Sequence, residues 1–318
     1  MNVRQVIPRD AIPSVDDPEF GSAYDGDDDD RVVVFAPEEG PARAYPIRYL
    51  HYHEIVNDRA GGTPIAVTWC PLCGSAVVYS RDSDGKTLQF GVSGKLADDD
   101  FVMYDRETET EWKQSSGEAI AGELRGESLT VLPAGLLSWE RYRDRYPNGL
   151  VLQSPGGESE ASGPGDDPEP IDYDEEPYRA YFERDGFGLN AHRGGDSREW
   201  NRDDFGPKTV VLGVESDGEA VGFPLPRVEV AGDVVTATIG EIDVVVLSGD
   251  GIHAYQNPAP DYEFEHDEGP YFFADGTRWH AASGESEDGR ELTRLPARRL
   301  FAFAWQDDHG ADSFWSPE

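Results

Sequence analysis

VVVFAPEEGPARAYPI at Val32–Ile47 returns later in the chain as VVLGVESDGEAVGFPL at Val210–Leu225. In both, a β-branched run meets an acidic turn with a glycine, Gly40 or Gly218, and a second apolar run closes on a proline followed by Ile47 or Leu225. That order predicts a β-hairpin leading into a helix, twice. Two further echoes keep the same sequence order. W-x-x-x-S-G-E at Trp112–Glu118 recurs at Trp279–Glu285, and L-T-x-L-P at Leu129–Pro133 recurs at Leu292–Pro296. An amphipathic stretch bearing a tryptophan follows each, Leu136–Tyr146 and Leu300–His309. Several echoes in one order point to a duplication. The fold class expected is α+β and β-rich, with two degenerate tandem repeats of mainly antiparallel strands and a few short helices.

Working outward, residues 1–152 form an N-terminal arm and first repeat, and residues 207–318 the second. Between them, residues 153–206 hold SPGGESEASGPGDDPEP, a Gly/Ser/Pro/acidic run expected to be an exposed, mobile connector. Aromatic residues from Tyr173 to Phe205 follow and are expected to wrap onto a core. Strands are expected at Arg31–Phe35, Ile65–Trp69, Ala76–Tyr79, Thr209–Val214, Val234–Ile239 and Ile242–Leu247. Helices are expected over Ile47–Val56, after Pro46, and from a Ser138 cap to Tyr146 before Pro147.

The chain has 318 residues, with 64 Asp+Glu against 27 Lys+Arg, a net charge of −37 and a pI near 4.3. Non-specific nucleic-acid binding needs Lys and Arg to displace counterions, and peripheral membrane attachment needs a basic or lipidated anchor, so both partners are excluded. With 37% hydrophobic content and 7 Trp, 14 Tyr and 14 Phe, the chain is too rich in core formers to be a disordered acidic polymer. Lysine is scarce (Lys86, Lys95, Lys113, Lys208). This composition resembles that of proteins from salt-accumulating archaea, and the runs Asp27–Asp30, Asp98–Asp100 and Asp166–Asp167 read as solvated surface. The N-terminus lacks the features of a secretory signal, and no window approaches a transmembrane span, so a cytoplasmic, reducing location is expected.

In such a compartment the pair Cys70 and Cys73 points to metal or redox chemistry. The strand Ile65–Trp69 runs into CPLCG and a second short strand leaves it, the layout of a metal-binding knuckle in which a tight turn presents two thiolates. A thioredoxin-type motif would open a long helix, which the valines of Ala76–Tyr79 disfavour. Further ligands must come from elsewhere: His53 on the preceding predicted helix, and Met103, whose thioether beside two thiolates would suit Cu(I). Each has a plainer reading. The cysteines can be buried small residues, His53 a structural histidine and Met103 core filler. His192 and His253 have no spacing logic that would assign them a role. Copy two reads VVVLSGDGIHAY where copy one carries the cysteines, so the thiol site belongs to one half.

At AYPIRYLHYHEIVND, GGTPIAVTWCPLCGSAVVY, FGVSGKL, FVMYDRETETEWKQSSGEAIAGELRGESLTVLP and VVLGVESDGEAVGFPL the chain resembles the domain of unknown function family numbered 3179, as a haloarchaeal member. The resemblance spans nearly the whole chain and implies no assigned activity. The expected function is binding of a thiophilic metal, Cu or Zn, by Cys70, Cys73, His53 and Met103. Thiol–disulfide exchange at the same pair, and a non-enzymatic β scaffold for a partner or small ligand, are the competing expectations; whether the chain is an enzyme stays open.

Overall fold

A computed structural model describes residues 1–83, 85–163, 165, 167–259 and 262–317. Asp84, and Pro164 and Asp166 of the connector, lie outside the described residues.

The central sheet has six antiparallel strands in the order Glu219–Pro224, Val210–Ser216, Arg298–Phe301, Ser75–Ser80, Thr63–Cys70, Ile55–Ala60. Three come from the first half of the chain and three from the second, so the halves share one sheet. Its middle strands are covered on both sides. Alternate side chains of a strand point to opposite faces; Ile55, Ala66, Cys70, Val77 and Tyr79 enter one core cluster, and Val56, Ile65, Val67, Trp69 and Val78 enter another. The near-continuous apolar run at Ile65–Cys70 is the sequence trace of this double burial.

The first face packs against a sheet in the order Val3–Gln5, Phe90–Ala97, Asp100–Asp105, Glu111–Lys113, Ala119–Ala121, whose Phe90, Met103 and Trp112 fill that core. The other packs against Gly135–Ser138, Arg31–Phe35, Arg43–Pro46, Leu150–Leu152 and Phe20–Gly21, where Leu150–Leu152 against Arg43–Pro46 is a parallel pair. A meander of Val234–Ile239, Ile242–Ser248 and Ile252–Gln256, and a small sheet ending in Thr277–His280, complete the second half. The fold is β-rich and mainly antiparallel, with few short helices.

The expected helix over Ile47–Val56 stops at His53. Glu54 adopts a left-handed conformation (φ 58°), and Ile55 begins a strand that pairs residue by residue with Thr68–Thr63. Two β-branched residues and a long pairing partner outweigh the helical spacing. The Ser138 cap is as expected: its side chain accepts from the Arg141 N–H, and the helix Trp139–Arg145 ends at Tyr146. Tyr178, Tyr181, Phe187 and Phe205 of the wrap are buried. The connector before them docks, because Ser159 is fully buried and its hydroxyl donates to the Tyr52 carbonyl at 2.8 Å. No helix among the described residues is long and apolar enough to cross a membrane.

Candidate metal centre

Cys70 is the last residue of its strand, and Ser75, its pairing partner, opens the next. The turn between them folds back so that the Cys73 N–H donates to Cys70 Sγ at 3.3 Å. Gly74 makes the turn possible: its φ is +55°, and a β-carbon there would lie 2.7 Å from the Phe301 ring. The second half of the chain closes over this turn. The Phe301 N–H donates to the Cys73 carbonyl at 2.7 Å, and Arg299 Nη1 to the Gly74 carbonyl at 2.5 Å.

A third donor arrives from the neighbouring sheet. Asp98 and Asp99, both at positive φ, make a tight turn that aims Asp100 at the cysteines. The Cys73 thiol donates to Asp100 Oδ1 at 3.1 Å, and one donor atom from each of Cys70, Cys73 and Asp100 lies within 4.8 Å of the others. All three are at most 1% exposed. Asp100 Oδ2 accepts from the Ser115 N–H at 3.2 Å and lies 3.9 Å from Lys113 Nζ, which also pairs with Asp308 of the C-terminal helix Ala302–His309. The acidic run Asp98–Asp100 is therefore not all surface: Asp99 and Asp100 are buried. The missed signal was Lys113, one of four lysines, next to Trp112 of the repeated W-x-x-x-S-G-E element.

Burial pushes both thiols up, Cys73 further because Cys70 and Asp100 add unfavourable charge. It also raises Asp100, against the pull of Lys113. Burial alone would lower Lys113, but Asp100 and Asp308 outweigh it and keep the ammonium charged. Cys70 also lines a cavity of about 90 Å³ with Glu54 and Tyr178. Glu54 is pushed up to about 8 by burial and by Glu160.

The structure brings together Cys70 and Cys73 and adds Asp100; His53 is committed elsewhere. Its Nδ1 lies 2.9 Å from the Pro13 carbonyl and its Nε2 2.6 Å from the Tyr173 hydroxyl, so a neutral ring with Nδ1–H donating and Nε2 accepting satisfies both partners. Met103 is fully buried in the same core cluster as the cysteines, on the strand that Asp100 opens. His51 accepts from Trp69 Nε1 at 3.2 Å and stacks on Tyr178.

Chemically, two buried, protonated thiols beside a carboxyl group form a poor nucleophile, since attack requires an accessible thiolate. They form a reasonable ligand set for an ion that displaces the thiol protons.

A family model described as Protein of unknown function (DUF3179) matches residues 9–312, and the chain belongs to that family. No curated protein and no solved structure matches it.

Proposed function

We propose that the chain binds a thiophilic metal ion through Cys70, Cys73 and Asp100. The observation that carries this reading is the convergence of the three donor atoms within 4.8 Å in a buried turn. Two thiolates with one carboxylate suit a borderline ion, so Zn²⁺ fits the set better than Cu(I), which takes the thiolates alone or with a thioether such as Met103. Binding releases the two thiol protons and replaces the Cys73–Asp100 hydrogen bond by metal–ligand bonds. Lys113 then neutralises part of the anionic charge. The exchange reading has less support, because burial disfavours the thiolate in both cysteines.

We also infer that the two halves descend from one unit, which would confine the thiol chemistry to the first. Hairpin then helix occurs as Arg31–Pro46 with Ile47–His53, and as Val210–Pro224 with Leu225–Val230. A three-stranded meander follows each. Tyr79 donates to the Gln114 carbonyl and Tyr255 to the Ala281 carbonyl, both at 2.7 Å, at matching places in the W-x-x-x-S-G-E echoes. The turn corresponding to the cysteine turn is Gly249-Asp250-Gly251, with no thiol.

The test is metal content and competition titration on tag-free, reduced protein in concentrated potassium chloride, which suits so acidic a surface. One equivalent of zinc is expected, lost in Cys70→Ser and Cys73→Ser and held at least about ten-fold more weakly in Asp100→Asn. Substoichiometric metal that is the same in both serine variants would overturn the reading.

A further inference from the structure

A cavity of about 120 Å³ lies at the seam of the two halves, lined by Arg31, His253, Arg294 and Arg299, with Leu136 and Leu295 among its apolar walls. Its lining contains no Asp or Glu, although acids make up 64 of the 318 residues. Three guanidinium groups line one cavity, and Asp250, the carboxylate that pairs with Arg31, lies beside the lining and not in it.

These cations are positioned and incompletely paired. Arg31, whose side chain is 40% exposed, pairs with Asp250 at 3.3 Å. Among the described residues, Arg294 and Arg299 have no carboxylate partner. Arg299 donates to the Gly74 carbonyl; burial and the nearby Arg31 push it down to about 10, and it stays cationic at neutral pH. Arg294 donates to the Tyr255 hydroxyl at 2.7 Å and lies over its ring, with Nη1 3.4 Å from His253 Nδ1. His253 is 2% exposed, its Nε2 is 3.3 Å from the Asp250 carbonyl, and burial holds it well below the usual histidine range. A neutral His253 therefore accepts from Arg294 through Nδ1 and donates through Nε2, fixing the guanidinium rather than adding charge.

All three side chains are half-buried; Arg294 also donates to the Ala282 carbonyl, yet neither it nor Arg299 has a counter-charge, and partial burial of a cation without one is costly. The purpose that fits is an anion. We propose that this cavity binds a small organic oxyanion, a carboxylate or phosphate head on a short aliphatic body, with Arg31, Arg294 and Arg299 on the head and Leu136 and Leu295 against the body. Its volume of about 120 Å³ leaves room for an oxyanion head with a few carbons. The forked donors of arginine suit planar or tetrahedral oxyanions alike.

Calorimetric titration with isobutyrate and, in parallel, isopropyl phosphate, at constant potassium chloride, tests this and identifies the head. Saturable binding of at least one probe is expected, tighter than for acetate. Loss of one charge-assisted contact should weaken it about ten-fold or more in Arg299→Met and in Arg31→Gln. Arg31→Gln alters a partly exposed side chain and decides the matter if Arg299→Met does not fold. Absence of saturable binding by both probes, or wild-type affinity in the folded variants, would overturn the proposal.

Discussion

Replacing Gly74 by alanine probes how tightly the second half clamps the cysteine turn. Two costs add. An L-residue at φ +55° loses about 1–2 kcal/mol relative to glycine. The new methyl would also sit 2.7 Å from Cε1 and Cζ of Phe301 and 2.9 Å from Cδ1, so the ring must yield by about an ångström, at about 1–3 kcal/mol for overpacking. Phe301 has little freedom to move, because its N–H is bonded to the Cys73 carbonyl, its ring is buried and Phe182 lies edge-on at 6.3 Å. Gly74→Ala should therefore destabilise the fold by about 2–5 kcal/mol in total. Phe301→Leu removes the obstructing ring edge and leaves the backbone cost, so the two substitutions should be coupled. The double variant is expected to be about 1–3 kcal/mol more stable than the sum of the single effects predicts. Urea unfolding followed by tryptophan fluorescence, at fixed potassium chloride, reads all four corners of the cycle. Additivity within about 0.5 kcal/mol would mean that Phe301 does not hold the turn, and the reasoning fails.

Lys113→Met leaves the buried Asp100 and the half-buried Asp308 without their shared cation and should cost about 3–5 kcal/mol in urea unfolding, most of it recovered by adding Asp308→Asn. A double variant no better than the single one would show that the charges are not coupled. Acid should weaken the fold between pH 6.5 and 5, because the buried histidines outweigh Glu54, whose carboxyl burial pushes up to about 8 and whose protonation acts in the opposite sense. Burial pushes His51 and His53 down to about 4, so both stay neutral in the folded chain while the unfolded chain takes up protons near pH 6.5. Their contribution is fully present above that value and lost as pH falls toward 4, about 1.6 kcal/mol for each between pH 6.5 and 5, of which Glu54 offsets about 2 kcal/mol in total, leaving a net loss of about 1 kcal/mol. A urea midpoint that is constant over that interval would refute the assignment.

Much of this fold is written locally. Val32–Phe35, Val234–Ile239 and Ile242–Ser248 carry β-branched runs bounded by turn residues, and they form strands close to the expected limits. What stayed hidden depends on partners distant in sequence. The helix limit at His53 follows from pairing between Ile55–Ala60 and Thr63–Thr68, which helical spacing cannot reveal. Both nitrogens of His53 are taken by Pro13 and by Tyr173, residues separated from it by 40 and 120 positions. Asp100 was masked by its own abundance: in a chain with 64 acids, one more in a run of three looks like surface, and only the packed structure distinguishes it. The arginine cavity was hidden for a related reason, since Arg31, Arg294 and Arg299 meet only when the halves close on one sheet.

The net charge of −37 and the inner cation cluster need not oppose each other. In dilute buffer, with a screening length of about 10 Å, the acidic surface would repel an approaching anion. In molar salt that length falls to about 3 Å, and an anion meets the surface field only within the last contact layer. At the cavity the guanidinium groups are half-buried, and contacts made directly to them are screened less than the surface field. A saline setting thus suits both features: it calls for the acidic exterior and silences it for a ligand on its way in. The same logic reaches the cysteines. A surface that attracts every cation confers no preference among them, so in the metal-binding reading we propose, discrimination would rest on the softness of two sulfurs and on one buried carboxylate held between Cys73, Ser115 and Lys113.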